Sequence, residues 1–316
     1  MILEQFKQDV LFGLSQTPKQ IPSKYFYDKR GDELFVQIMN MPEYYLTRAE
    51  MEIFQQQSRD IISSFDIQKG EEIEVVELGA GDGTKTIHLL FELIRARVTF
   101  KYVPIDISSN ALTGLEHRMK EEIPELAINS LHGDYFQMLS DLKKSPNRKI
   151  ILFLGSNIGN MSDEQATAFI ASLSKNLNKG DKIVLGVDLI KEKEVVLPAY
   201  NDPAGITRDF NLNLLKRMNR ELSADFDLNS FVHDPEYHES EGIAKSFLKS
   251  TRKQVVDIKL IGKQFLFEEN ERIHTEISRK YNDSILEKII DKSPLSVQHC
   301  FTDKKAWFGD YIINRV

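Results

Sequence analysis

The chain has 316 residues, of which 41% are hydrophobic and 28% charged, a balance that suits a soluble globular enzyme and excludes a disordered polymer. With 41 Lys and Arg against 48 Asp and Glu the formal net charge is −7, and no dense basic cluster is interleaved with aromatics. A nucleic-acid partner is therefore not expected.

The N-terminal MILEQFKQDV lacks the basic-then-apolar order of a signal peptide. No apolar run approaches the length of a membrane span, so the expected location is cytoplasmic, with no membrane partner. The first strong element is a strand from Ile73 to Leu78. It runs into Glu77-Leu-Gly79-Ala-Gly81-Asp-Gly83-Thr-Lys85 and then into a helical segment from Lys85 through Leu93. Strand, glycine-rich turn and helix N-terminus in that order form a nucleotide-cradling unit. Glycines two apart, preceded by an acid, fit an S-adenosylmethionine (SAM) site. A dinucleotide turn needs its third glycine three residues after the second, and position 84 is Thr.

Further strands are expected at Thr99 to Ile105, Leu126 to Leu131, Lys149 to Leu154 and Lys182 to Val187, with helices such as Ser108 to Ile123 and Asp163 to Leu177 between them. The last two strands are continuous apolar runs, as in strands covered on both faces. Repeated β-α-β units imply an α/β fold with a doubly wound, Rossmann-like parallel sheet. After Leu189 the pattern changes. Lys191 to Glu194 reads as a charged break, and Pro198 and Pro203 bracket a turn-rich piece around Tyr200. A helix follows from Asp209 to Glu221, then an irregular acidic stretch around Asp234 to Glu241. Strand-like segments come next at Gln254 to Leu260, Lys263 to Phe267 and His274 to Ser278. Ser296 to Phe301 and Trp307 to Ile313 read as a closing hairpin returning to the main sheet. The expected division is a core of residues 49–190 and 281–316 and a second, smaller α+β domain of residues 1–48 and 191–280. Cys300, the single cysteine, excludes an internal disulfide and reads as packing in a protein of a reducing compartment. The seven histidines show no metal-ligand spacing, so no metal is assigned. A monomer is the favoured state.

Ligands of such sheets bind at the carboxyl ends of the strands. Four groups stand there: Gly79 and Gly81 after the first strand, Asp106 after the second, Asp134 with Tyr135 after the third, and Gly155 to Asn160 after the fourth. Asp106 can take both ribose hydroxyls of SAM or cap the following helix. Asp134 suits an adenine amino group or a turn. Lys85 opposes the dipole of the helix it begins, which points to a further reason for its presence. Together they describe a SAM-dependent methyltransferase.

Outside the glycine turn the chain carries Lys24-Tyr-Phe-Tyr-Asp28, Gly31, Leu34-Phe35, Pro42-Glu-Tyr-Tyr-Leu-Thr-Arg-Ala-Glu50, Phe153-Leu-Gly-Ser-Asn-Ile-Gly-Asn160 and Glu221-Leu-Ser-Ala-Asp-Phe226. With these strings the chain resembles the histidine-specific Nα-methyltransferases of the ergothioneine pathway, which convert histidine to its trimethylammonium betaine, hercynine. The resemblance implies a class I methyltransferase core with a substrate domain built from the N-terminus and a late insertion. It implies that Gly79, Gly81, Lys85, Asp106, Asp134 and Tyr135 contact SAM. Tyr44, Gly155, Asn160 and Tyr200 would hold the amino and carboxylate ends of a free amino acid, Tyr44 and Asn160 being catalytic. Glu276 and Ser278 would recognise the imidazole, with Tyr27 near the ring. The family's methionine beside that ring is replaced by Ser246 within Ala244-Lys-Ser-Phe-Leu248. The alternatives are another amino acid such as tryptophan, or a SAM-binding protein without catalysis.

Overall fold

The computed structural model describes residues 2–133 and 145–316, so the expected ligand residues Asp134 and Tyr135 lie outside the described residues. The chain divides into two compact units, Met1–Tyr45 with Lys191–Ser278, and Leu46–Ile190 with Arg279–Val316. It begins with α1 (Ile2–Leu14), β1 (Lys19–Gln20) and α2 (Lys29–Asn40). Next come α3 (Tyr45–Ser63), β2 (Glu72–Leu78), α4 (Thr86–Arg95), β3 (Thr99–Asp106), α5 (Ser109–Glu122), β4 (Leu131–His132), β5 (Arg148–Phe153), α6 (Asp163–Lys175) and β6 (Lys182–Asp188). The late segment holds α7 (Lys193–Val196), α8 (Ile206–Leu222), β7 (Phe231–His233), β8 (Glu236–His238), β9 (Ile243–Ser250), β10 (Gln254–Ile258), β11 (Lys263–Phe267) and β12 (Arg272–Arg279). The chain closes with α9 (Asp283–Ile290), β13 (Leu295–Thr302) and β14 (Phe308–Arg315).

In the larger unit the described strands form one sheet in the order β13-β14-β6-β5-β2-β3-β4. β2 to β6 pair in parallel, and the terminal hairpin is antiparallel within itself and against β6. This is the doubly wound α/β sheet with its closing hairpin. Every residue of β6 is buried, as are Lys149 to Phe153 of β5, because helices cover both faces of a parallel sheet. Phe153, Ile183 and Leu185 pack in one core with Phe169 and Ile170 of α6 and Leu286 of α9.

The edge differs from expectation. Of the third expected strand, Leu126 to Leu131, only Leu131 pairs as part of a strand, β4, in which it and His132 lie beside Ile105 and Asp106, and Ile128 makes a single bridge to Tyr102. Pro124 has no N–H to offer, and residues 124–130 are exposed or half-exposed, so little apolar burial holds them extended.

In the smaller unit β1, β12, β9 and β7 form a sheet in that order, with β8 also on β9, while β10 and β11 make a separate hairpin. β9 buries every second residue, Ala244, Ser246, Leu248 and Ser250, as a half-covered strand does. Phe6 and Val10 of α1, Leu214 and Met218 of α8, and Ile273 of β12 share its core. The acidic stretch around Asp234 is not irregular throughout, because Arg272 donates to Glu236 at 2.8 Å and allows β8 to pair. Lys191 is not a solvated break. It is buried, with Nζ 3.1 Å from the Tyr45 hydroxyl and 4.6 Å from that ring's centre. Among the described residues no helix is long and apolar enough to cross a membrane.

α6 starts with a reciprocal cap: Ser162 Oγ accepts from the Gln165 N–H, and the Gln165 side chain accepts from the Ser162 N–H. Ser162→Ala leaves a helix-end donor unsatisfied and is expected to cost about 1 kcal/mol in urea unfolding. Ser162→Asp, which keeps the acceptor, should restore most of it.

Candidate active site

In the larger unit the chain must reverse between β2 and α4 over seven residues. Gly79, Gly81 and Gly83 take φ of +72°, +57° and +69°, which side-chain-bearing residues rarely adopt. A Cβ on Gly79 would also stand 2.8 Å from Asn157 Nδ2, whereas one on Gly81 would meet none of the described residues within 4 Å. The open side at Gly81 is a face that a ligand can approach.

Asp106 ends β3 beside this turn. Its Oδ2 accepts the Gly81 N–H at 2.9 Å and its Oδ1 accepts the Ser108 N–H at 2.8 Å. The helix-capping alternative is answered by Ser108, whose side chain accepts from Ala111 N–H at the start of α5. A carboxylate has about four acceptor positions, so these two bonds leave Asp106 capacity for vicinal hydroxyls. Beneath the turn, buried Glu77 accepts from Thr86 Oγ1 at 2.7 Å and from the Tyr102 hydroxyl. Burial pushes its carboxyl up to about 7 despite both donors.

Lys85 is the cap residue of α4, and its ammonium pairs with Glu50 of α3. Burial is the largest influence and opposes its charge, but the surrounding carboxyl groups, Glu50 foremost, together hold the lysine above its ordinary range. Glu50 also accepts the Gly155 N–H at 2.8 Å. Lys85 and Gly155 are thus brought together by a residue that sequence reasoning quotes within a string but does not single out. Its signal was available: Glu50 stands four residues from Leu46 and from Phe54 in the buried stripe of α3, where an acid is out of place. Asn160 closes the turn Asn157–Asn160 after β5, and its side chain is exposed.

In the smaller unit, Tyr27 and Tyr44 both lie edge-on to Phe35, at 5.6 and 6.5 Å between ring centres. Tyr44 is half-buried, whereas its neighbour Tyr45 is core. Glu276 and Ser278 stand two apart on β12 and share a face. The Tyr200 hydroxyl donates to Ser278 Oγ at 2.7 Å, and Ser246 Oγ donates to Glu276 Oε2 at 3.2 Å. Two residues expected at opposite ends of a substrate, Tyr200 and Ser278, therefore share a hydrogen bond. His233 holds the Tyr200 carbonyl at 2.8 Å; a carbonyl only accepts, so the proton is on Nε2 of that ring. Cys300 is half-buried, and burial pushes its thiol up to about 12, out of the nucleophile range.

The arrangement offers a glycine cradle with a carboxylate and an ammonium in one unit, and hydroxyls, an aromatic cluster and a carboxylate in the other. Residues 6–315 match the model of the family described as histidine-specific methyltransferase, SAM-dependent. The chain is 34% identical over 306 residues to a histidine N-alpha-methyltransferase of Mycolicibacterium smegmatis, covering 97% of this chain and 94% of that protein. It is 34% identical over 304 residues to a protein of the same name from Mycobacterium tuberculosis, covering 96% and 92%. To an L-tryptophan methyltransferase of Psilocybe serbica it is 26% identical over 324 residues, covering 95% and 90%.

Glu77 makes the unit's stability depend on pH. The unfolded chain releases this proton near 4.5 and the folded chain keeps it to about 7. Stability from the held proton is full below 4.5 and is lost as pH rises through about 7. Glu77→Gln, which stays neutral, is expected to remove roughly 3 kcal/mol of that pH dependence. Denaturant unfolding of both proteins at pH 4.5 and 8 measures it, and parallel curves would contradict this account.

Proposed function

The chain belongs to the histidine-specific, SAM-dependent methyltransferase family, and from that premise we propose that it methylates the α-amino nitrogen of free L-histidine three times, giving hercynine. One observation carries the choice of amino acid: Glu276 and Ser278, an acceptor and a donor-acceptor, stand on one face of a single strand. An imidazole presents an N–H and a second nitrogen, and the pair can serve both. Indole presents one N–H and no acceptor nitrogen, so it leaves Ser278 without a ring partner. A site built to hydrogen-bond its substrate disfavours analogues lacking those groups by large factors.

The residues present fit SAM. The cradle has its open side at Gly81, Asp106 has acceptor capacity for ribose hydroxyls, and Lys85 is a cation for the carboxylate end. When bound, SAM supplies an electrophilic methyl group on its sulfonium, so the protein's task is chiefly positioning. Tyr200 would bind the substrate carboxylate by turning its single O–H from Ser278 Oγ to a carboxylate oxygen. Ser246 donates to one oxygen of Glu276 and so sets the carboxylate's orientation toward the ring N–H. Tyr27 would lie near the ring. Asn160 would orient the amine, and Gly155 lies on the same loop. The amine attacks only when neutral, because an ammonium has no lone pair. Tyr44 would accept a hydrogen bond from that nitrogen, and the proton leaves through it or directly to water.

Mass spectrometry of the purified protein with SAM and a panel of amino acids tests the reading. A gain of three methyls on histidine is expected. Gain on tryptophan without histidine would replace the substrate, and no product anywhere would favour a binding protein. Tyr44→Phe is expected to lower kcat about tenfold or more while changing SAM affinity less than about twofold. Full turnover in that variant would remove Tyr44 from catalysis.

A further inference from the structure

The larger unit buries more charge than methyl transfer uses. Glu50 of α3 and Asp310 of β14 are both 0% exposed, and Glu77 of β2 is 3% exposed. Lys85 is the cation on which all three carboxyl groups act. Glu77 is satisfied by Tyr102 and Thr86. The other two form a chain with the lysine.

Glu50 is its middle member. Oε2 pairs with the Lys85 ammonium, and Oε1 accepts the Gly155 N–H at 2.8 Å. A methyl on Gly155 would stand 3.6 Å from Lys85 Nζ, so ammonium and loop backbone are neighbours. Behind Glu50, Asp310 meets it at Gly186 of β6. A Cβ there would come within 3.0 Å of Asp310 Oδ1 and overlap Glu50 Oε1. Glycine in mid-strand weakens a sheet, and here it leaves the room that two carboxyl groups occupy.

Two adjacent buried carboxyl groups do not both ionise beside a single ammonium. Among the described residues neither oxygen of Asp310 has a hydrogen-bond partner, whereas Glu50 has an ammonium and a backbone N–H. Burial first, and the charge of Glu50 second, push Asp310 far above the usual carboxylate range. Asp310 is the neutral member and Glu50 the charged one. A lysine is otherwise a mobile point charge on a flexible stem, and at this helix N-terminus the dipole disfavours it. A fixed counterion is what keeps it charged and in one place.

We propose that Glu50 is a positioning residue of the SAM site, with Asp310 as its uncharged backing: its carboxylate aims the Lys85 ammonium and ties the Gly155 backbone to it, so that the carboxylate end of SAM meets a cation already oriented. This rests on the reading of Lys85 as the contact for that end of SAM. Glu50 touches neither the methyl group nor its acceptor, so its removal weakens the cofactor's hold and spares the chemical step.

The test is calorimetric titration of the full chain with S-adenosylhomocysteine, the unreactive product bearing the same carboxylate, together with steady-state kinetics. Lys85→Met is expected to weaken binding tenfold or more, and Glu50→Gln about tenfold. In Glu50→Gln the KM for SAM rises in step, while kcat and the KM for histidine stay within about twofold. In a Lys85→Met background the Glu50→Gln change should cost less than about twofold further, because it acts through the lysine. Equal cost in both backgrounds would make Glu50 a merely structural residue and overturn the proposal. Unchanged binding in Glu50→Gln, with loss in Lys85→Met, would overturn it while leaving the lysine's role intact. Unchanged binding in Lys85→Met would overturn the reading of the lysine and the proposal with it. Should Glu50→Gln not fold, the double variant against Lys85→Met carries the test: equal affinities support the proposal and a further loss overturns it. Asp310→Asn, a neutral isostere, should bind within about twofold of the parent, and a tenfold loss would overturn the neutral assignment of Asp310.

Discussion

The chain reversal after β2 is the constraint on which the larger unit depends. Three left-handed glycines let the backbone turn within seven residues, and the turn is then tied to the neighbouring strand rather than left free. The Gly79 N–H donates to the Ile105 carbonyl at 2.8 Å, and the Gly81 N–H donates to the Asp106 carboxylate. Beneath it Glu77 joins the end of β2 to β3 through Tyr102 and to α4 through Thr86. Each link ties the turn, or the strand that leads into it, to the neighbouring β3 or α4. The cradle is therefore a property of the sheet as much as of the turn.

The smaller unit solves a different problem with the same economy of elements. A half-covered strand exposes one face and buries the other, so polar groups on adjacent strands can be aligned without disturbing the core. Ser246 is on the covered side of β9 and is itself buried, yet its Oγ donates to Glu276 on β12, while buried Thr275, one residue along, donates to Asn211 and the Ser246 carbonyl. Buried polar groups are inexpensive when paired and costly when not. The pairing of Ser278 with Tyr200 likewise leaves few orientations open to either hydroxyl.

Much of this was legible in the sequence where the pattern is periodic. The apolar runs of β5 and β6, the glycine spacing and the closing hairpin each follow from local rules that the tertiary structure does not override. The edge strand was not legible, because apolar content at residues 126–131 says nothing of how little that edge is covered. Lys191 reads as part of a charged break and Asp234 as part of an irregular acidic stretch, because their partners, Tyr45 and Arg272, come from elsewhere in the chain. Glu50 and Asp310 show the same limit in sharper form. Glu50 stands in the buried stripe of a helix and Asp310 in an apolar strand, and only the fold reveals that the two meet at a glycine. Asp106 was legible in place but not in bonding, since its link to Gly81 spans 25 positions.

The pairing of β1 with β12 also has a consequence for biogenesis. Lys19 and Glu271, which form an ion pair beside these strands, are 252 positions apart. At a synthesis rate of about 5–20 residues per second, α1 and β1 wait roughly 10 to 50 s for the partner strand to be made. During that interval Phe6, Val10 and Leu14 of α1 have Tyr25, Leu34 and Ile38 as core partners and later Leu214 and Met218 of α8, but lack Ile273 of β12. The core around α1 is thus assembled in stages during translation, first with the residues that follow it, then with α8, and last with β12.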